Sequence, residues 1–404
     1  MAHHNIVIPT KDKLFNLGEF SLRRRGNLIT AIILAVGLVI TVIRFTQGIG
    51  SVTNLSDVQP WGMWIGFDLL CGVSLAAGGY FTTVGCYIMG MKHFHSAVRP
   101  AVTTAFLGYT FVVVALLYDL GHPLRLPYMF FFPGTTSVLF EVGLCVATYL
   151  TVLFVEFSVA PMEWLAGRFP FLLNWRKLVV RCTIILTIFG VTLSTLHQSS
   201  LGSLYLIAPG KLHPLWYSPF MPMFFFVSSM AAGASMVIFE GMFAHKGVHH
   251  YMDDTHLREA DEVVFSFSKA ASFILFAYFM LKFTDMLVQA NLPYVFSGYG
   301  LWWLVEMLFF VLMPALLYAR GSRQRNLRIC RFAAANTVLG IVLNRFNVSM
   351  IAFNYALPSA ERYFPSLWEI CISVFVVTMI VTAYRFIVYH MPVLYEHPDF
   401  KDAH

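Results

Sequence analysis

The chain has 404 residues, of which 58% are hydrophobic and only 12% are charged. Soluble domains carry about 25% charged residues, and the mean hydropathy of +0.69 likewise excludes a soluble globular domain. The net charge of +6 comes from basic residues that flank apolar segments. This pattern is typical of a lipid-embedded protein, so no nucleic-acid partner is expected.

Ten apolar segments long enough to cross a bilayer follow one another along the chain. A polar segment precedes the first of them, and no small-residue cleavage site follows it, so we expect an anchor rather than a removable signal peptide. The predicted spans are 28–47, 61–91, 100–120, 136–158, 177–199, 217–245, 263–288, 300–319, 329–352 and 366–390.

The basic residues indicate the orientation of these spans. Twenty of the 27 lysines and arginines fall on the side of the N-terminus, and four fall within spans. Only Arg125, Lys211 and Arg362 fall on the other side. Because lysine and arginine are retained in cytoplasmic loops, we expect a multi-pass protein of the bacterial inner membrane with both termini in the cytoplasm.

A weak internal repeat divides the spans into two groups. The pattern Ser-x-Ala-Ala-Gly occurs at Ser74–Gly78 in the second span and at Ser229–Gly233 in the sixth. Glu141 and Glu306 lie at similar depths in the fourth and eighth spans, although coincidence among apolar segments is the alternative explanation. We expect an all-α membrane protein with two four-helix bundles, related by a parallel repeat, and two flanking helices.

The predicted units are an N-terminal cytoplasmic segment (1–27), a first helix with its loop (28–60), a first bundle (61–199), a loop with a second bundle (200–352), and a last helix with its tail (353–404).

Four ionisable residues point to a site in the first bundle. Asp68, Asp119, Glu141 and His197 come from four different helices and are predicted to lie in the outer third of the membrane. A bare carboxylate within a bilayer costs roughly 2.5–3.5 kcal/mol, which favours a shared polar pocket. Each residue alone has a simpler interpretation, such as a carboxylate that reaches back to water or a loop histidine. In the second bundle the charges are expected to neutralise one another; they are Lys282, Asp285, Glu306 and Arg345.

The residue types favour a quinone over other redox groups. The six cysteines form no CxxC or CxxCH motif, so neither an iron–sulfur cluster nor a c-type haem is expected, and no metal site is predicted. A b-type haem needs two facing histidines, whereas His197 is the one histidine plainly within or at the end of a span. A quinone needs hydrogen bonds to two ring oxygens, proton donors and an apolar slot. An ion- or proton-coupled secondary transporter is the alternative.

Several motifs extend this interpretation. The chain resembles the polysulfide-reductase/NrfD family of membrane subunits, and most closely its HybB-like branch, which serves nickel–iron hydrogenases. The motifs that carry the resemblance are Gly50–Asp57, Pro60–Leu69, Val98–Ala101, Ser137–Glu141, Leu196–Leu204, His213–Trp216 and Val237–Gly241.

The resemblance implies a quinone-reactive subunit without a redox centre of its own. Its electron donor would be a ferredoxin-like iron–sulfur subunit on the periplasmic face, fed by a hydrogenase, a molybdoenzyme or a multihaem cytochrome c. Menaquinone is favoured over ubiquinone. Five residues match polar positions of the branch: Asp68, Arg99, Tyr109, Glu141 and His197.

These observations lead to specific expectations for the site. The quinone is expected to contact His197, Asp68, Trp64 and Gln198, with His197 and Asp68 at the ring oxygens. Glu141 is expected to supply protons, so the catalytic set is Glu141, Asp68 and His197. A proton pathway is expected to use Arg99, Tyr109, Asp119 and Glu141. The alternatives are an anchor on the cytoplasmic side for Arg99 and a helix–helix hydrogen bond for Tyr109.

Overall fold

A computed structural model describes residues 20–247 and 251–395, so most of segment 1–27 and the end of the tail lie outside the described residues. The ten predicted spans are confirmed as helices long and apolar enough to cross a membrane. They are α1 (Arg25–Gln47), α2 (Trp64–Ile88), α3 (Lys92–Asp119), α4 (Val138–Leu165), α5 (Thr183–Ile207), α6 (Met221–Gly247), α7 (Thr255–Val288), α8 (Gly298–Arg323), α9 (Leu327–Ile351) and α10 (Leu367–His390). We call the side that bears the start of α1 the basic face, and the other side the opposite face.

The fifth span differs from its predicted bounds of 177–199. A separate helix, Leu172–Arg181, precedes α5 on the basic face, and α5 itself runs from Thr183 to Ile207. This short helix exposes Trp175 and Leu178 and ends on Arg181, as an amphipathic interfacial helix does. The apolar residues of this short helix caused the predicted span to begin six residues before α5 and to end eight residues before the end of α5. His197 therefore lies near the middle of α5, about 15 Å along the helix from Ile207 at the helical rise.

The helices pack as two bundles, α2–α5 and α6–α9, with α1 and α10 packed together against α3. The two bundles contact each other where α5 packs on α6 and where α2 crosses α6. A Cβ atom at Gly233 would lie 2.7 Å from the backbone carbon of Ala77, and a Cβ at Gly78 would lie 3.1 Å from the carbonyl oxygen of Gly233. The repeated Ser-x-Ala-Ala-Gly motifs thus pack against each other, as small residues do between membrane helices.

Equivalent polar contacts recur in the two bundles. Ser200 of α5 donates to the Glu141 carboxylate of α4 at 2.6 Å. Asn347 of α9 donates to the Glu306 carboxylate of α8 at 2.5 Å. Both contacts join the fourth and third helices of a bundle, as the proposed repeat requires.

The second bundle holds its buried charges in a network of amides and hydroxyls. The Arg345 guanidinium donates to the Asn344 side-chain oxygen at 2.7 Å, and the Asn344 amide donates to Glu306 at 2.6 Å. Arg345 also donates to Ser74 and Ser228, each at 3.0 Å.

Among the described residues no direct ion pair joins Lys282, Asp285, Glu306 and Arg345, so the expected mutual neutralisation is not observed. Arg345 and Glu306 instead share the neutral side chain of Asn344, and Arg345 also contacts Ser74 of the first bundle. Asp285 accepts from Ser218, and the Lys282 ammonium lies over the Phe224 ring.

On the basic face, the buried Glu163 carboxylate and its partner Arg99 connect four segments of the chain: α3, α4, the amphipathic helix and the segment after α10. Glu163, at the end of α4, pairs with Arg99 of α3 at 2.8 Å and with Arg176 of the amphipathic helix at 2.8 Å. Arg99 also donates to the Pro392 carbonyl at 2.9 Å. This arrangement matches the anchor interpretation of Arg99.

Replacing Glu163 by glutamine is expected to lower the free energy of unfolding by about 3–5 kcal/mol, because it leaves two arginines beside an uncharged partner. The measurement is the thermal unfolding midpoint of the purified protein, followed by tryptophan fluorescence. The matched control is Glu262→Gln, since Glu262 pairs with Arg325 on an exposed surface where ion pairs contribute little. Equal midpoints for the two variants would contradict the structural role of Glu163.

Candidate functional site

The centre of the first bundle contains a buried histidine between two tyrosines. The His197 Nδ1 atom donates to the Leu193 carbonyl at 2.7 Å, so Nε2 is the acceptor, and the Tyr109 hydroxyl donates to it. The Tyr149 ring centroid lies 5.3 Å from that of His197 and 4.7 Å from that of Tyr109. All three side chains are fully buried. The Tyr109 hydroxyl can therefore transfer a proton to His197. The hydrogen bond between two helices, which was the alternative interpretation of Tyr109, is present.

Further polar atoms surround this pair. Gln198 donates from Nε2 to the Val73 carbonyl of α2 at 2.9 Å, and its side chain also interacts with the Tyr109 hydroxyl. Ser194 interacts with the hydroxyls of both Tyr109 and Tyr149. The cluster is therefore a connected set of buried polar side chains at the centre of the bundle.

An apolar groove of about 470 Å³ adjoins the cluster. It is walled by α2, α3 and α4 and closed towards the opposite face by the short helix Pro123–Phe130. Val73, Val146 and Leu201 line it, and each lies within one helical turn of the polar cluster or contacts it. Thr110 and Thr151 are the polar residues among those that line the groove, so the groove suits an apolar molecule.

Asp68 and Trp64 point away from this cluster. The Ser373 hydroxyl of α10 donates to the Asp68 carboxylate at 2.6 Å, and the Trp64 indole donates to the Glu369 carbonyl of α10 at 3.2 Å. Both side chains are buried against the flanking helices. We expected Asp68 and His197 to lie together at the ring oxygens of the quinone. In the structure the Asp68 side chain instead contacts Ser373 and does not reach His197.

Asp119 and Glu141 occupy two further places. Asp119 ends α3 within electrostatic range of Arg44 and Glu369, among the flanking helices. Glu141 is exposed near the start of α4, where Ser200 holds it. The predicted convergence of Asp68, Asp119, Glu141 and His197 in one pocket is thus not observed, because the four side chains point in three directions.

Some polar groups inside the two bundles were not assigned a role from the sequence. Tyr149 packs on His197, and Glu156 of the same helix lines a small cavity nearer the basic face. Glu240 of α6 accepts a hydrogen bond from Thr104 at 2.9 Å. Glu156 and Glu240 are carboxylates within apolar spans, and that signal alone was sufficient to mark them.

Residues 51–354 match the family model described as "Polysulphide reductase, NrfD". The chain belongs to the NrfD family. The match begins before α2 and ends after α9, so it includes both bundles and the cluster around His197.

Three relatives of this NrfD-family chain illustrate what it is similar to. A protein of Nitratidesulfovibrio vulgaris is 66% identical over 385 residues, which cover 95% of the chain and 98% of that protein. The probable Ni/Fe-hydrogenase 2 b-type cytochrome subunit of Escherichia coli is 30% identical over 371 residues, or 90% of each chain. The menaquinone reductase integral membrane subunit of N. vulgaris is 30% identical over 359 residues, or 82% of each chain.

The name of the E. coli relative raises the question of a b-type haem. A haem iron would need a free ring nitrogen from each of two facing histidines. Both nitrogens of His197 are engaged within the protein, and the rings that pack on it are those of Tyr109 and Tyr149. His213 lies in a loop on the opposite face, where burial lowers its pKa to about 4. The described residues around His197 therefore do not fit a haem.

Proposed function

We propose that this NrfD-family protein is the quinone-reactive membrane subunit of a respiratory oxidoreductase complex. It passes two electrons between a redox partner on the opposite face and a quinone of the membrane pool, with menaquinone favoured. The menaquinone reductase relative supports the quinone, and the hydrogenase relative supports a complex with a separate catalytic subunit.

The observation that carries the proposal is that the apolar groove adjoins the His197 cluster: Val73 lines the groove, and its carbonyl accepts a hydrogen bond from Gln198. A quinone needs a hydrogen-bond donor at its ring oxygens and an apolar slot for its tail. The groove supplies the slot, and the Tyr109 hydroxyl, which lies behind the inner wall of the groove beside His197, is the donor nearest to it. We propose that the ring lies at this wall, with one ring oxygen towards the Tyr109–His197 pair.

The roles of the remaining residues follow from where they lie. When the quinone takes up two electrons it takes up two protons. The Tyr109 hydroxyl, turned from His197 towards the nearer ring oxygen, supplies one of them, and the tyrosinate that remains is reprotonated through His197. Glu141, exposed at the end of α4, exchanges protons with the water of the opposite face. Asp68, Trp64 and Asp119 fix α2 and α3 against the flanking helices, so we assign them to positioning rather than to the ring oxygens.

The charge distribution supports an orientation in the bacterial inner membrane. The basic face would be cytoplasmic, with both termini there, and the opposite face periplasmic. The electron donor would then be a ferredoxin-like iron–sulfur subunit that docks on the loops of the periplasmic face. A hydrogenase, a molybdoenzyme or a multihaem cytochrome c would supply it with electrons.

Filling the groove tests the proposal. Ala147→Trp places an indole in the groove, where it would occupy the space proposed for the quinone. The KM for quinone is expected to rise at least about tenfold, because fitting the quinone beside the added indole would cost more than about 1.4 kcal/mol. The reduction of an artificial dye by the partner subunits is expected to stay unchanged. The matched control is Leu144→Trp on the exposed side of the same helix. A wild-type KM in Ala147→Trp would contradict quinone binding in the groove.

A further inference from the structure

A cavity of about 670 Å³ on the basic face takes no part in the proposed function. It lies among the end of α2 and the starts of α3, α5 and α7. Val180 of the amphipathic helix Leu172–Arg181 also lines it. Because an amphipathic helix of this kind lies at the membrane–water boundary, the cavity is at the level of the lipid headgroups.

Part of the lining carries positive charge. Lys92 lines the cavity, its side chain is exposed, and it forms no ion pair with a described residue. Thr183 and Ile184, the first residues of α5, line the same cavity. Cys182 before them gives no side-chain hydrogen bond to the first turn of the helix. The start of a long helix, together with a lysine, is suited to bind a phosphate group.

Another part of the lining carries a carboxylate without a partner. Glu259 of α7 lines the cavity, and its Oε2 atom is buried without a hydrogen-bond partner among the described residues. Asp253, the other acidic residue of the lining, is held by the backbone N–H and the ring of His256. No ion pair joins Glu259 to Lys92 or to another residue that the structure describes. A buried carboxylate oxygen in this state is suited to a cationic donor.

The remaining lining is apolar and reaches the lipid. Ile184 lines the cavity and is 60% exposed, and Ile188, one turn further along α5, is 51% exposed. Residues four apart on a helix are neighbours, so these side chains form an apolar strip that leads from the cavity into the hydrocarbon region. Val98 and Val180 add apolar surface inside the cavity. A ligand with a hydrocarbon chain therefore fits the site better than a water-soluble one.

We propose that this cavity binds the headgroup of a phospholipid that carries a primary amine, as phosphatidylethanolamine does. Its phosphate lies between Lys92 and the start of α5, its ammonium group donates to Glu259, and one acyl chain follows Ile184 and Ile188. The headgroup thus brings opposite charges to Lys92 and Glu259, which the described residues leave unpaired. The cavity shares no lining residue with the quinone groove, so the inference does not depend on the proposed function.

The charges of the cavity predict which phospholipids bind. Phosphatidylcholine offers the same phosphate, but its quaternary ammonium has no N–H group to donate to Glu259. Phosphatidylglycerol has no positive charge, and its net negative charge meets the carboxylates of Glu259 and Asp253. A hydrogen bond between charged groups accounts for at least about a tenfold difference in affinity. We therefore expect phosphatidylethanolamine to bind at least about tenfold more tightly than either of the others.

Native mass spectrometry of the purified complex tests this preference. The complex is delipidated in detergent, and each of the three lipids, with identical acyl chains, is titrated in. We expect one molecule of phosphatidylethanolamine to bind with the lowest Kd. Glu259→Gln is expected to weaken phosphatidylethanolamine binding about tenfold and to leave phosphatidylcholine binding unchanged. Lys92→Ala is expected to weaken the binding of all three lipids, because all three carry the phosphate.

Glu262→Gln and Lys246→Ala are the matched controls. Both residues are exposed near the basic face, and neither lines the cavity. They remove the same charges as the two test variants, so they reproduce the change in net charge alone. We expect both to bind phosphatidylethanolamine as wild type does.

Several results would overturn the proposal. Equal affinity for the three lipids, or tighter binding of phosphatidylglycerol, would show that the cavity does not recognise the amine. A loss of binding in the controls as large as in Glu259→Gln and Lys92→Ala would assign the effect to general surface charge. Glycerophosphoethanolamine has the same headgroup and no acyl chains. If it bound with the Kd of the lipid, the cavity would be a site for a water-soluble molecule instead.

Discussion

Replacing His197 by glutamine is expected to lower quinone-linked turnover at least about 100-fold, the smaller end of the range for loss of an acid–base group. His197 Nε2 accepts the Tyr109 hydroxyl, and Nδ1 donates to the Leu193 carbonyl. Glutamine keeps a polar side chain of similar length, but its amide cannot accept and release a proton as an imidazole does. The loss should therefore appear at the quinone step alone. The measurement is quinone reduction by the purified complex, compared with dye reduction by its donor subunits.

His390→Gln is the matched control for this variant. The expectation that His197 is the one histidine of a span was wrong, because His390 ends α10 and is buried there. Its Nδ1 donates to the Phe386 carbonyl at 2.7 Å, four residues earlier, as in His197. It lies on α10, away from the groove. Comparable losses in the two variants would show that any buried histidine is required for structure, which would contradict a specific role for His197.

Replacing Gly233 by valine is expected to prevent the two bundles from packing and hence to abolish assembly of the complex. A Cβ at this position would lie 2.7 Å from the Ala77 carbon and from the Gly78 nitrogen. These are backbone atoms and cannot rotate away, so α2 and α6 must separate. The expected cost is at least about 3 kcal/mol, the upper part of the range for overpacking. The measurement is the yield of the assembled complex after membrane extraction and size-exclusion chromatography.

Gly241→Val is the control for Gly233→Val. Gly241 lies two turns further along α6, and a Cβ there would meet nothing within 4 Å. Both variants place the same β-branched residue in the same helix. They differ in whether that residue lies at the interface between the bundles. A normal yield for Gly233→Val would contradict the close packing of the two repeated motifs.

The sequence predicted the number of helices well because ten long apolar segments leave little choice in a bilayer. It failed at α5, where the apolar residues of the amphipathic helix Leu172–Arg181 continued the hydropathy signal of the true span. The error moved the predicted end of the helix to residue 199 and placed His197 at the membrane edge rather than in the bundle interior. Hydropathy measures how apolar a segment is, and it does not show where the chain turns into the plane of the membrane.

The direction in which the Asp68 side chain points could also not be predicted, and here the reason is different. Asp68 lies within a π-helical turn, Trp64–Leu69, and α2 contains a second such turn at Val84–Ile88. A π-helical turn bonds each residue to the fifth one along, so it breaks the 3.6-residue period from which helix faces are inferred. His197, Tyr109 and Gln198 lie on regular helices and form a polar cluster, but this is not the predicted cluster of His197 with Asp68, Asp119 and Glu141. The contact of Asp68 with Ser373 depends on α10, whose position no local pattern predicts.

The central claim is that a quinone binds in the groove beside His197. Its most direct test is photolabelling of the purified complex with an azidoquinone, followed by mass spectrometry of the peptides. We expect the label on the groove-lining part of α4, between Val142 and Leu150, and we expect excess menaquinone to prevent it. Label confined to α6–α9, or label that menaquinone does not displace, would contradict the account.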